Sequence, residues 1–269
     1  MIDYKFFTDF QKELYTEHGY MLEKLSPSTD FWYVNKRTNK KQFVFGVASH
    51  QYHIEYAKLF SPLRHKKLKI LEIGVFNGFS MLLWNDFFPN AEIYGIDINL
   101  SHSHRGITPR QLCKNKKRIH LFELDAYKKQ SVENFMKEVG GNFDIIIEDG
   151  SHHPIHQLQA LSYFLPYINK EGMFIMEDVI RGEHQLKRYD RRENNLFTNN
   201  KMFYLDEYLQ QPNKFNFDID LSLLKKFECK TIEPKEYSLR FTDTNLEGRE
   251  CIMKMETPFK LMIFIDKRL

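Results

Sequence analysis

Residues 69–98 read KILEIGVFNGFSMLLWNDFFPNAEIYGIDI, and the order of apolar runs, glycines and acids in them decides the fold. KILEI is a short run without polar alternation, which suits a strand covered on both faces. It breaks at Gly74 and again at Gly78, and then FSMLLWNDFF spaces its apolar residues as a helix does. EIYGIDI closes the unit as a second strand ending on Asp97. The same kind of run recurs in IHLFELD (119–125), FDIIIED (143–149) and GMFIMED (172–178), with SVENFMKEV and HQLQALSYFL as the intervening helices. Strand and helix alternate five times, which is the pattern of a Rossmann-like, doubly wound and mostly parallel α/β sheet.

Each run closes on an acid: Glu72, Asp97, Asp125, Asp149, then Glu177 with Asp178. Ligands of open α/β sheets bind at the carboxyl ends of the strands, so these acids are expected along one edge. The plainer alternative is that any one of them solvates a loop. Gly74 and Gly78 let the chain turn tightly and let a ligand approach the backbone. Phe76 stands where a dinucleotide fingerprint needs its middle glycine, which disfavours a pyrophosphate and leaves a nucleoside without one. Asp97 is placed to accept the ribose hydroxyls, and Asp125 lies near the expected base.

EDGSHHP (148–154) carries the second constellation. With its strand beside the next, Asp149, Glu177 and Asp178 meet at one edge, where three carboxylates repel unless a cation joins them. Oxygen ligands favour Mg2+, with Mn2+ or Ca2+ as variants. Arg181 is the alternative counter-charge. His152 stands near that cluster and suits a general base. His153 is expected in solvent, and Ser151 with Pro154 also reads as an ordinary helix start. His102 and His104 form an H-x-H without a third ligand nearby, which disfavours a transition-metal site.

Around this core the chain is less telling. Its 269 residues suit one large domain or a domain plus an appendage, and 42% hydrophobic residues supply a core. A net charge of +3 from 39 basic and 36 acidic residues lacks the basic excess of a nucleic-acid binder. No apolar run approaches the roughly 18–20 residues that span a bilayer, and the N-terminus lacks a signal-peptide core. Cys113, Cys229 and Cys251 are scattered and odd in number, so neither a disulfide framework nor a cysteine zinc site is expected. A cytoplasmic location follows as the expectation. Residues 1–66 read as a helical N-terminal cap and 67–269 as the Rossmann-like domain, with a polar, basic surface insertion at about 181–218. FYLDEYLQ inside it is a short helix, and CIMKME with KLMIFIDK reads as a hairpin-like pair completing the sheet.

The segments LEIGVFNGFSMLLWNDFFPNAEIYGIDI and DIIIEDGSHHPIHQLQALSYFLPYINKEGMFIMEDV resemble class I S-adenosylmethionine-dependent methyltransferases. Within these they resemble the macrocin/mycinamicin sugar O-methyltransferase group, over roughly residues 49–180. The resemblance implies that Gly74, Gly78 and Asp97 hold S-adenosylmethionine with Glu72 and Asp125 in support. It implies that Asp149, Glu177 and Asp178 bind Mg2+ and that His152 is the base. Many relatives carry Thr-Asp-Lys where this chain has Phe45-Gly46-Val47-Ala48. The implied reaction is methyl transfer to a sugar-type hydroxyl of a small molecule. Arg181, Lys187, Arg188, Arg191 and Arg192 leave an anionic acceptor open, and a homo-oligomer is also left open. The competing readings are an NAD-binding oxidoreductase and a hydroxylase-like, non-methylating relative on the same fold.

Overall fold

The computed structural model describes residues 23–24, 31–35, 40–45, 52–102, 108–193, 196–197, 202–211, 219–233, 237–243, 249–255 and 259–268. The chain divides into two compact units, residues 1–63 with 233–258 and residues 64–232 with 259–269. In the first, Glu23–Lys24, Phe31–Asn35 and Lys40–Phe45 form an antiparallel sheet, and Tyr237–Asp243 pairs antiparallel with Arg249–Met255. Tyr52–Phe60 is a helix, as the helical reading of residues 1–66 expects there. The all-helical reading of the N-terminal cap is therefore corrected. FWYVN and QFVF are aromatic and β-branched, and that preference for a pleated surface prevails over an apolar spacing that also fits a helix. Gly46, Val47, Ala48 and His104 lie outside the described residues.

The second unit holds β1 (Lys69–Ile73), α1 (Phe79–Phe87), β2 (Glu92–Asp97), α2 (Pro109–Leu112), β3 (Ile119–Glu123), α3 (Lys129–Val139), β4 (Phe143–Glu148), α4 (Pro154–Phe164), β5 (Ile168–Ile180), α5 (Glu183–Arg192), α6 (Leu205–Gln210), β6 (Phe227–Ile232) and β7 (Phe259–Asp266). The sheet order is β3-β2-β1-β4-β5-β7-β6. Strands β1 to β5 pair in parallel, and β7 runs antiparallel to both neighbours. The doubly wound, mostly parallel sheet is thus as the sequence reads. KLMIFIDK does join it, but residues 251–255 of CIMKME pair with 237–241 in the other unit, which corrects the expected hairpin. Chain order reverses between β1 and β4, and the crevice at such a reversal is where open α/β sheets take ligands.

Packing fixes that crevice. α3 is amphipathic, and its buried Val132, Phe135 and Met136 fall at helical spacing on one face. Phe135 stands edge-on to Phe122 with centroids 5.0 Å apart, and fully buried Phe143 lies under the Lys69 ammonium at 4.7 Å. Lys69 Nζ also donates to the Gly141 carbonyl at 2.7 Å, tying β1 to the loop before β4. Removing a buried ring such as Phe143 typically costs about 3–5 kcal/mol.

The basic stretch after β5 is not a loop throughout. Glu183–Arg192 is the helix α5, which buries Leu186, Tyr189 and Asp190 at i, i+3 and i+4. Three buried positions among charges are a narrow stripe, which reads as a solvated loop in sequence. The short helix expected in FYLDEYLQ is present as α6. Among the described residues, no helix is long and apolar enough to cross a membrane.

Candidate functional site

The carboxyl ends of β1 to β4 enclose a cavity of about 420 Å³, within the range of small-molecule sites. Gly74, Asp97, Asp125 and Asp149 all line it, so four of the sequence-predicted residues meet there. Gly74 has φ of +92°, and a Cβ on it would stand 2.6 Å from the Asp149 carbonyl carbon and 2.7 Å from Gly150 Cα. Only glycine lets the β1 and β4 ends come that close. Asp97 accepts from Phe76 N at 2.8 Å through Oδ2 and from Asn99 N at 2.9 Å through Oδ1. The two amides fix its carboxylate at the cavity wall, and each oxygen has a second lone pair to offer.

Glu72 and Gly78 do not line this cavity. Glu72 is buried, and Trp84 Nε1 donates to its Oε2 at 2.7 Å, so it anchors α1 to β1 beneath the site. Gly78, with φ of +86°, caps the N-terminus of α1 and packs against Pro109. Both act on the site through the turn they shape. Phe76 takes φ of +49°, half exposed at the cavity mouth, with its ring stacked on His102 at 5.2 Å.

The second constellation sits at the ends of β4 and β5. Asp149, His152 and Asp178 each present one ligand atom, all within 4.8 Å of one another. His152 Nε2 lies 3.8 Å from Asp178 Oδ2. His152 holds the third place, whereas Glu177, the third ligand implied by resemblance, is fully buried and is not a member of that set. The ladder explains the split between neighbours. Met176 pairs with Met262 and Val179 with Lys260, so Glu177 and Asp178 together face Leu261 alone. This extra residue is a β-bulge, a device that re-aims a side chain beside active sites. Asp178 has φ of +52° and His152 has φ of +61°, left-handed conformations that cost a non-glycine residue about 1–2 kcal/mol each. Strain of this kind, held by surrounding structure, collects at functional sites. Arg181 is exposed.

His153 is fully buried, which corrects the expectation of a solvent-exposed ring. Its Nδ1 accepts from Ile155 N at 3.2 Å and caps α4, so the hydrogen-bonding pattern assigns the proton to Nε2, which faces Asp190 Oδ1 at 3.2 Å. Ser151 Oγ accepts from His153 N at 3.2 Å. These two residues hold His152 from either side.

Beneath the cluster, Tyr127 OH donates to Glu148 Oε1 at 2.8 Å and accepts from Ser151 N at 2.8 Å. Burial pushes the Glu148 carboxyl up to about 7, against the pull of the Tyr127 and Gly150 hydrogen bonds. His156 stacks on Tyr127 at 4.2 Å and contacts Ser151 Oγ through Nδ1 at 2.7 Å. Burial, then neighbouring His153, lowers the His156 imidazole to about 4. Tyr127, His156, Ile98 and Glu193 line the cavity without having been singled out in the sequence. Ile98 had a signal: it is 70% exposed, an apolar residue directly after the acid that closes β2.

Residues 71–179 match a family model described as a methyltransferase domain. That stretch therefore resembles a methyltransferase domain, and the curated relatives it is similar to include the macrocin and mycinamicin O-methyltransferases. The chain is 29% identical over 137 residues to 8-demethyl-8-alpha-L-rhamnosyl tetracenomycin-C 2'-O-methyltransferase of Streptomyces olivaceus, covering 48% of this chain and 33% of that protein. It is 28% identical over 137 residues to mycinamicin VI 2''-O-methyltransferase of Micromonospora griseorubida, covering 48% and 32%. The chain thus spans about a third of the length of the curated relatives it matches. Among solved structures, the methyltransferase MycE of the mycinamycin pathway in complex with Mg and SAH is similar at 27% identity, with a TM-score of 0.42 over 50% of this chain and 36% of that one. The family match runs from within β1 to within β5, and the segments on either side lie beyond it.

Proposed function

We propose that this chain transfers the methyl group of S-adenosylmethionine to a hydroxyl of a sugar-type small molecule, with a divalent cation, Mg2+, at the end of β4. The observation that carries the reading is the meeting, on one methyltransferase sheet, of the Asp97 cavity and the Asp149–His152–Asp178 cluster. Printed activities of the relatives, O-methylation of glycosylated natural products, support the acceptor class.

The residues fit both groups. Asp97 is fixed by two amides at the wall of a nucleoside-sized cavity, and Gly74, also lining it, lets the β1 and β4 ends close together there. Asp149 and Asp178 would hold the cation, and Glu177 is buried outside that set. When bound, S-adenosylmethionine supplies an electrophilic methyl group on sulfur, and the cation lowers the pKa of a coordinated hydroxyl. His152 takes the hydroxyl proton on its imidazole nitrogen as the oxygen attacks. Ser151 and His153 keep that ring in place, and Asp97 fixes the far end of the cofactor, so the chain aligns the reacting atoms.

The test incubates the protein with S-adenosylmethionine labelled in the methyl group, Mg2+ and a panel of glycosides and nucleotide sugars, with parallel samples in chelator. Label on a sugar hydroxyl that disappears with chelator supports the reading. Label transfer unaffected by exhaustive chelation would remove the cation from it.

A further inference from the structure

Helix α5 follows the metal-binding strand end and leans on three histidines of the next wall. Tyr189 stands edge-on to His152 with centroids 5.4 Å apart and planes at 85°. Asp190, nearly buried, meets His153 Nε2 through Oδ1 at 3.2 Å and accepts from Phe197 N at 3.0 Å. Glu193, one turn beyond Tyr189, has Oε2 at 3.7 Å from His156 Nδ1 and lines the cavity. The buried Asp190 anchor makes the position of Glu193 a consequence of packing, since residues three apart on a helix share a face.

Asp97 lines the cavity, and so does a polar group made of Asp125, His156 and Glu193, in which Glu193 Oε2 lies 3.7 Å from His156 Nδ1. Ile98 and Ala126 add apolar surface to the lining, as the flat faces of a base require. Asp125 already serves two donors, Tyr127 N at 3.0 Å on Oδ1 and Lys128 Nζ at 3.3 Å on Oδ2. His156 Nδ1 is engaged with Ser151 Oγ. Burial pushes the Glu193 carboxyl up, with Asp125 adding to the rise and Arg192 opposing it. A wall with two carboxylates around an imidazole held neutral calls for a ligand that donates.

We infer that Glu193 sets base specificity in this site, its carboxylate accepting a hydrogen bond from the exocyclic amine of adenine. This rests on the nucleoside reading of the cavity given above. A purine with a carbonyl at that position would turn an oxygen toward two carboxylates and is rejected, as sites built to bond a polar group reject analogues lacking it.

Calorimetry with S-adenosylhomocysteine and its deaminated analogue S-inosylhomocysteine tests this on the unaltered protein, Glu193→Gln and Glu193→Ala. The unaltered protein should bind the adenine compound about a hundredfold more tightly than the analogue, and Glu193→Ala should weaken the adenine compound about tenfold. Glu193→Gln can donate an amide N–H to the analogue's carbonyl, so it should narrow the discrimination about tenfold. Discrimination unchanged in both variants overturns the role of Glu193 alone. Failure of the unaltered protein to bind S-adenosylhomocysteine overturns the nucleoside reading itself.

Discussion

Replacing Gly74 with alanine perturbs both halves of the site through one methyl group. The new Cβ would stand 2.6 Å from the Asp149 carbonyl carbon, against the 3.4 Å at which ordinary contact begins, so that backbone must retreat by about 0.8 Å. The φ of +92° adds strain of about 1–2 kcal/mol, and overpacking of this kind costs a further 1–3 kcal/mol. Total destabilisation should therefore be about 2–5 kcal/mol, read as a lowered urea midpoint. Asp149 belongs to the carboxylate–histidine cluster and also borders the cavity, so its displacement is felt twice. Calorimetry at a temperature where the variant remains folded should show S-adenosylhomocysteine and Mn2+ each bound at least tenfold more weakly. A shift near 1 Å at a catalytic group can cost about a hundredfold in rate, which sets the scale for turnover. A folded Gly74→Ala protein that binds both ligands as the unaltered one does would refute the close-approach argument.

Asp97→Ala removes the acceptor of Phe76 N and Asn99 N together with the one proposed for the ribose. It should cost about 1–3 kcal/mol in S-adenosylhomocysteine binding by calorimetry, and unchanged affinity would dismiss the assignment. His152→Ala should lower methyl transfer about 10²–10⁴-fold while leaving that affinity near normal; ordinary turnover in this variant would take His152 out of the mechanism. His156, lowered from 6.5 to about 4, stays neutral in the folded state where the unfolded chain takes up a proton. Its contribution to stability is therefore complete above pH 6.5 and is lost as pH falls towards about 4, by up to about 3 kcal/mol. Urea titrations at pH 7.5 and 5 should show a smaller acid loss in His156→Phe, which keeps a ring against Tyr127; equal losses would argue against a neutral buried imidazole.

The parallel strands were legible because burial on both faces leaves an unbroken apolar run in each. β1 to β4 accordingly fall within KILEIG, EIYGIDI, IHLFELD and FDIIIED. Asp97, Asp125 and Asp149 were legible for a related reason: the carboxyl edge of such a sheet is one line in space, and acids closing successive strands must share it. Asp178 and Glu177 are adjacent in sequence and look equivalent there. Only the bulge opposite Leu261 separates them, and a bulge leaves no mark in an apolar run. Helix α5 escaped because Leu186, Tyr189 and Asp190 are its buried residues, and one of them is an acid whose burial depends on a histidine far along the chain. The strands of residues 23–45 escaped because aromatic residues serve helix and sheet faces alike, so spacing alone did not discriminate.

The central claim is that one cofactor and one cation meet at the ends of β1 to β5. A crystal structure of the protein with S-adenosylhomocysteine and Mn2+, recorded with anomalous scattering from the manganese, tests it most directly. The account predicts ribose hydroxyls on the Asp97 carboxylate and a manganese peak between Asp149 and Asp178, within reach of the cofactor sulfur. A nucleoside bound away from Asp97, or a manganese peak at another cluster with Asp149 and Asp178 unmoved, would contradict it.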